Sequence, residues 1–253
     1  MAQPTVTSRR QLGGRRTEKI AETIARQILR DIQHQGLEPG TMLPSESAML
    51  ERFDIGRGSL REALRILEVN GLVTIKTGPG GGPIVAGHDP RNFGQMSTLH
   101  LQSIGATYRQ LLEARLEYES LLARKAAEQP GDEAGNLVRA ASVEASQTPA
   151  PDDTRYASIT SSFHATVCTA SGNPVLALAA NSIQSIWSVR VTSVLFAPKD
   201  RPLVYQQHEQ ITQAIEKHNG KRAERLMREH MQHYREYCEA RYPARMDDVV
   251  DWS

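Results

Sequence analysis

Three histidines, His164, His208 and His230, fall in three separate stretches of helical periodicity, 156–170, 203–218 and 221–241. Neutral imidazole suits zinc, nickel and similar ions, and three such ligands leave open positions for water or for the carboxylate of a bound molecule. Taken alone, three histidines are more simply polar core residues, and the residue types leave both readings open. Arg57 and Arg61 stand four apart and so share one face of any helix that contains them. A guanidinium there can bond guanine bidentately or clamp a phosphate; the plain alternative is a solvated charged face. Arg115 and Arg190 lie in helical stretches expected to line a bundle interior, where they are natural receptors for an anionic small molecule. Arg115 can equally pair with Glu119, one turn further on.

The elements around Arg57 and Arg61 supply the context that an R-x-x-x-R spacing lacks. From Thr17, apolar residues recur at Ile20, Ile24, Ile28 and Ile32, and the pattern stops at Gly36 and Pro39-Gly40. Pro44-Ser45 opens a short helix with Met49, Leu50 and Phe53 on its buried side, ending near Asp54, which tolerates the left-handed turn required there. Gly56 can cap a third helix, about Arg57 to Asn70, with Leu60, Leu64 and Leu67 inward and Gly71 closing it. Two β-rich runs, Leu72–Lys76 and Pro83–Ala86, flank Thr77-Gly78-Pro79-Gly80-Gly81-Gly82, a hairpin placed as the wing of a helix-turn-helix. The glycine run is no nucleotide loop, because no helix follows it and G-K-[ST] is absent. The third helix would enter the major groove by its N-terminal end. Arg57, Gly58, Ser59 and Arg61 would then be the readers, Gly58 and Ser59 letting the backbone approach closely.

After His88-Asp89-Pro90 the chain reads as six or seven helices. The stops are Pro130-Gly131, the linker 146–153, Gly172-Asn173-Pro174, Pro198, Pro202, Asn219-Gly220 and Pro243. Aromatics make up only 5% of the 253 residues, so the core is built mainly of Leu, Ile, Val and Ala. The net charge of +1 conceals an asymmetry: up to Val85 twelve bases oppose nine acids, a net +3, and the remainder carries −2. Cys168 and Cys238 form no C-x-x-C pair, which argues against a disulfide framework or thiolate zinc site and for a reducing, cytoplasmic setting. The most apolar stretch, Val175 to Phe196, is broken by Asn181, Gln184, Ser185 and Arg190, so no membrane span is expected.

The blocks Gly40-Thr41-Met42-Leu43-Pro44-Ser45-Glu46, Arg57-Gly58-Ser59-Leu60-Arg61-Glu62-Ala63-Leu64 and Gly71-Leu72-Val73 resemble the GntR family of regulators. The resemblance implies operator contacts by Ser45, Arg57, Ser59, Arg61 and the wing tip Thr77-Gly78. Ser47 is counted among the DNA-contacting positions, although the sequence departs there from the many members that place another DNA-contacting arginine. Asp54 and Gly56 depart from the usual Gly and Ser. Further on, Glu113-Ala114-Arg115-Leu116-Glu117-Tyr118-Glu119, Phe163-His164, Ser171-Gly172-Asn173-Pro174-Val175-Leu176, His208 and Met227-Arg228-Glu229-His230 resemble the FCD sensor domain of the FadR subfamily. There the resemblance makes His164, His208 and His230 ligands of a divalent metal such as zinc or nickel. The family's fourth ligand, an aspartate one turn before the first histidine, is Thr160 here, a position read as effector-binding with Arg115 and Arg190. Asp153 cannot replace it, being roughly 16 Å away along a helix.

The expected organisation is mainly α: a flexible basic arm at 1–16, a winged helix-turn-helix at 17–87, an antiparallel helical FCD-like domain for effector binding and dimerisation at 88–245, and a tail at 246–253. The expected protein is a homodimeric transcription regulator, a repressor, that binds an inverted repeat in double-stranded DNA. It would answer to an organic acid or acyl derivative. Two alternatives remain: a metal-dependent helical-bundle enzyme, disfavoured because no H-E-x-x-H or similar base accompanies the histidines, and a DNA-binding protein with an inert dimerisation domain.

Overall fold

A computed structural model of the chain describes residues 9–78, 80–87, 89–147, 152–190 and 195–251. They fall into two compact units, 1–92 and 93–253.

In the first unit α1 (Arg9–His34), α2 (Glu46–Phe53) and α3 (Arg57–Val69) precede a hairpin of β1 (Val73–Lys76) and β2 (Gly82–Val85). Helix α1 starts within the segment expected as a flexible arm. Gly13-Gly14 costs about 1 kcal/mol per residue, but the flanking arginines are good helix formers and extending an existing helix needs no new nucleus. Residues 1–8 lie outside the described ones. Ile24, Ile28 and Ile32 point inward as expected, whereas Ile20 is exposed and Ala21 and Ala25 complete the buried stripe. Ser45 caps α2 by accepting from the Ala48 N–H at 3.3 Å. Asp54 takes the left-handed turn, with φ 49°. Gly56 caps α3, and Leu60, Ala63, Leu64 and Leu67 bury its inner face. The hairpin is antiparallel, in register from Val73 opposite Val85 to Lys76 opposite Gly82. Its tip turns through Gly78 at φ 98° and Gly80 at φ 73°, angles that favour glycine.

The second unit is helical: α4 (Pro90–Ser103, whose first turn straddles the boundary), α5 (Tyr108–Ala127), α6 (Glu133–Gln147), α7 (Asp153–Ala170), α8 (Pro174–Arg190), a 3₁₀ turn (Pro198–Asp200), α9 (Arg201–Glu216), α10 (Gly220–Arg241) and α11 (Pro243–Asp247). Helix α5, started by a Thr107/Gln110 capping box, is the central element, packed along α10 and bordered by α7, α8 and α9. Its Tyr108, Leu112 and Leu116 meet Phe163, Ile211, Met227 and Met231 in the main core. Helix α4 approaches α8 so closely that a Cβ on Gly94 would lie 2.5 Å from Ser185 Oγ and 3.1 Å from the Ser182 carbonyl oxygen.

Residues 246–251 of the segment expected as a C-terminal tail belong to this core. Met246 and Val250 are fully buried. The Val250 N–H donates to the Ala106 carbonyl at 2.8 Å, and the Tyr108 N–H to that of Asp248 at 3.1 Å. Two apolar side chains placed to cover the open end of α5 decide this, and they are too few to show as a periodic pattern. No described helix is long and apolar enough to cross a membrane.

Candidate functional site

On the first unit, Arg57, Gly58 and Arg61 are exposed on the first turns of α3, and Ser59 is half-buried. Ser45 and Ser47 are exposed at the start of α2, their hydroxyl oxygens 2.9 Å apart. Arg61 Nε lies 3.4 Å from Glu46, an exposed pair that a stronger partner displaces at little cost. Thr77 and Gly78 are exposed at the hairpin tip. All eight residues expected to meet DNA are thus at least partly open to solvent.

In the second unit three helices bring the histidines together. His208 Nε2 is 3.3 Å from His230 Nε2, which is 3.3 Å from His164 Nε2. Nitrogens bound to one ion at about 2.1 Å sit about 3.0–3.4 Å apart for angles between octahedral and tetrahedral; these two separations fall in that range, and the ligand atoms of all three histidines lie within 4.8 Å of one another. The outer nitrogens show which face is offered. His164 Nδ1 lies 2.5 Å from Glu119 Oε2, a close contact off the line of an ideal hydrogen bond. His230 Nδ1 lies 2.8 Å from Gln207 Oε1. Both acceptors call for a proton on Nδ1, which leaves both Nε2 lone pairs turned towards each other. Bare lone pairs at that distance repel, and a shared cation removes the repulsion. A proton serves poorly, because burial and then the neighbouring imidazoles push His208 and His230 well below the usual histidine range. His208 stacks on Phe163 with ring centroids 3.9 Å apart, and its Nδ1 is buried with no partner among the described residues.

Glu119 holds this cluster to Arg115, whose Nε donates to it at 2.7 Å. Burial alone would raise the Glu119 pKa; Arg115 and His164 outweigh it and hold the carboxyl at about 2. Beside the cluster is a cavity with about 70 Å³ open to the centre of a water-sized sphere, lined by Arg115, His164 and His230 and, further along, Tyr156, Gln184 and Trp187. One water needs about 10–15 Å³ by that measure, so the space suits a small ligand. Arg115 pairs with Glu119 and also lines the cavity.

Thr160 lines the cavity too, but its hydroxyl donates back to the Tyr156 carbonyl and does not join the histidines. Asp153 is engaged elsewhere, in an ion pair with Arg201. Arg190 ends α8, and its side chain lies outside the described residues.

Residues 20–81 match the family described as bacterial regulatory proteins, gntR family, and residues 110–233 match the FCD domain. The chain is a GntR-type regulator with an FCD domain. This GntR-FCD chain is 29% identical over 225 residues to the HTH-type transcriptional repressor NanR of Escherichia coli K12, covering 85% of itself and 82% of that protein. To NanR of Enterobacter sp. strain 638 it is 28% identical over 221 residues, covering 85% and 83%. Its fold is that of Streptococcus agalactiae GntR, with a TM-score of 0.66 at 22% identity over 85% of this chain and 99% of that one. The protein is thus a DNA-binding transcription regulator whose second half is an effector-binding FCD domain.

Sequence reasoning missed several residues of the FCD site. Glu119 was legible as a partner of Arg115, but its contact with His164 crosses from α5 to α7. Gln184 showed only as a polar break in the most apolar stretch. Gln207 and Tyr156 gave no signal at all, because their neighbours here come from other helices.

Proposed function

We propose that this GntR-FCD regulator is a homodimeric repressor of the FadR subfamily, released from or bound to its operator by a small carboxylate effector in the FCD domain. Arg57 and Arg61 read base edges or phosphates of an inverted repeat. Gly58 and Ser59 permit close approach, and Ser45, Ser47, Thr77 and Gly78 contact the backbone. Two-fold symmetry doubles a reading head that by itself covers few base pairs. The repressor role rests on the NanR relatives.

In the FCD domain His164, His208 and His230 hold a divalent ion such as zinc or nickel, with Glu119 and Gln207 orienting two of the rings. When bound, such an ion supplies a Lewis-acidic centre for an anionic oxygen. Arg115 offers a second positive group to the same carboxylate. The observation that carries the reading is the 3.3 Å approach of the His164 and His230 Nε2 atoms beside a cavity with Arg115 in its wall. The volume favours a short organic acid over a long acyl chain.

The test combines a thermal-shift screen of small carboxylates, with and without zinc, and operator binding of the hits. Ligand stabilisation that also changes DNA affinity supports the regulator reading; an inert dimerisation domain gives neither. Metal affinity should fall in His208→Ala and rise in Thr160→Asp, which adds the carboxylate ligand. If elemental analysis finds no metal and zinc, nickel and manganese all leave the melting temperature unchanged, the histidines hold the effector directly or only structure the core.

A further inference from the structure

The cavity beside the histidine cluster has a wall of two kinds. Its lining residues stand on α5, α7, α8, α9 and α10, except for Leu195 and Phe196, which precede the 3₁₀ turn. Moving the helical part breaks hydrogen bonds inside a helix and contacts in the main core. Leu195 and Phe196 belong to no helix or strand. Side chains hold this segment instead. The Tyr237 hydroxyl donates to the Leu195 carbonyl at 3.1 Å and accepts from the Ala197 N–H at 3.1 Å, and Arg201 Nε donates to the Phe196 carbonyl at 3.1 Å.

Phe196 plugs the wall at this point. It is 4% exposed and borders the cavity, with its ring centroid 4.4 Å from that of Tyr237 and 5.5 Å from that of Tyr234. Arg201 ties the segment to the start of α7: it pairs with Asp153, and its guanidinium lies 4.2 Å from the Tyr156 ring centroid. The Asp153 side chain faces solvent, so water and salt compete for that pair. The groups behind the wall are sealed, since Arg115, His164 and His230 are each 6% exposed or less. A solute larger than water that meets them has to displace part of the wall. The part that yields at least cost is the one held by three side-chain hydrogen bonds and one packed ring.

We infer that residues 195–197 are the entrance of the FCD cavity, and that Tyr237 and Arg201 are positioning residues that latch it. This rests on the reading of the cavity as a ligand site and adds the route by which that site is filled. Neither latch side chain lines the cavity, so the latch governs how fast a solute exchanges and not how tightly it is held. Entry and exit pass through the same opened segment. Loosening the latch therefore speeds both alike and leaves their ratio, the affinity, almost unchanged.

The experiment uses the full-length chain in a Trp252→Phe background, which leaves Trp187 in the cavity wall as the chain's single indole. Quenching of its fluorescence by acrylamide, a small neutral solute, reports how readily the wall opens. Tyr237→Phe keeps the ring against Phe196 but removes both hydroxyl bonds, and it should raise the quenching constant about threefold or more. Arg201→Met should do the same, and Arg201→Lys, which can keep Asp153 or the Phe196 carbonyl but not both, should fall between Met and wild type. With zinc as the probe, uptake by the protein and extraction by a chelator should both quicken about fivefold or more in Tyr237→Phe, with Kd within about threefold of wild type. Wild-type quenching or wild-type zinc rates in the folded variants overturn the inference, and so does faster release alone, the mark of a weakened site. Raised quenching in a protein that takes up no zinc keeps the entrance and removes the metal. If the variants fail to fold, hydrogen exchange of the wild type decides: the Ala197 amide should exchange about a hundredfold or more faster than the amides of α8 and α10 that border the cavity, and equal protection overturns the inference.

Discussion

Replacing Glu119 by Gln tests the arrangement at its most constrained point. The wild-type carboxylate is 1% exposed and meets two donors, Arg115 Nε at 2.7 Å and His164 Nδ1 at 2.5 Å. Glutamine has the same shape but one acceptor and one donor, so whichever N–H its oxygen receives, its NH₂ confronts the other. One buried donor is then unmet, at about 1–3 kcal/mol. The Arg115 charge, itself 5% exposed, also loses its counter-charge, and breaking a buried pair in this way costs about 3–5 kcal/mol in all. For an FCD unit of this size the melting temperature should fall by roughly 6–20 °C. Urea unfolding followed by the fluorescence of Trp187, buried in the FCD core, reads the change in a chelator buffer that keeps metal out of the comparison. An Arg115→Met/Glu119→Leu double variant should recover much of the loss, because no buried charge remains. In zinc titrations Glu119→Gln should bind about 10–100-fold more weakly, as the His164 ring loses its anchor. A single variant within about 1 kcal/mol of wild type, or a double variant worse than the single, would refute the pairing and with it the orientation argued for His164.

Two further outcomes follow from other parts of the chain. Arg57→Ala and Arg61→Ala should each weaken operator binding by about 1–3 kcal/mol in an anisotropy titration at fixed salt, with an unchanged melting temperature because both side chains are exposed; wild-type affinity in both would remove α3 from the groove. Gly94→Ala should destabilise the FCD unit by about 1–3 kcal/mol, since the new methyl meets the Ser182 backbone as well as a movable Ser185 hydroxyl, and a neutral result by thermal denaturation would mean that α4 can shift away from α8.

The winged helix-turn-helix was legible because its signals are local. Ser45 as a cap, Asp54 in a left-handed turn, Gly71 after α3 and the glycine run of the hairpin each act on a few adjacent residues, and the structure uses each of them as read. The three inward leucines of α3 follow from helical period alone. What was not legible depended on partners distant in sequence. Helical period placed Ile20 on the buried stripe, yet only the packed neighbours of α1 decide where that stripe ends. Met246 and Val250 read as a tail until the turn at Ala106 gave them a surface to cover.

The same division runs through the sensor. Residue types alone made His164, His208 and His230 competent for a metal and Arg115 competent for an anion or for Glu119, since ligand chemistry and an i, i+4 spacing belong to the residues themselves. Tertiary structure decided the rest. It set the His230 Nε2 of α10 3.3 Å from the Nε2 atoms of His164 on α7 and His208 on α9. It turned Thr160 back onto its own helix and placed Tyr156 and Gln184 along one cavity. The reason is physical: a lone pair, a hydroxyl or a carboxylate acts only on what lies within about 3 Å, and which groups come that close is fixed by how helices pack, not by the order of residues along any one of them.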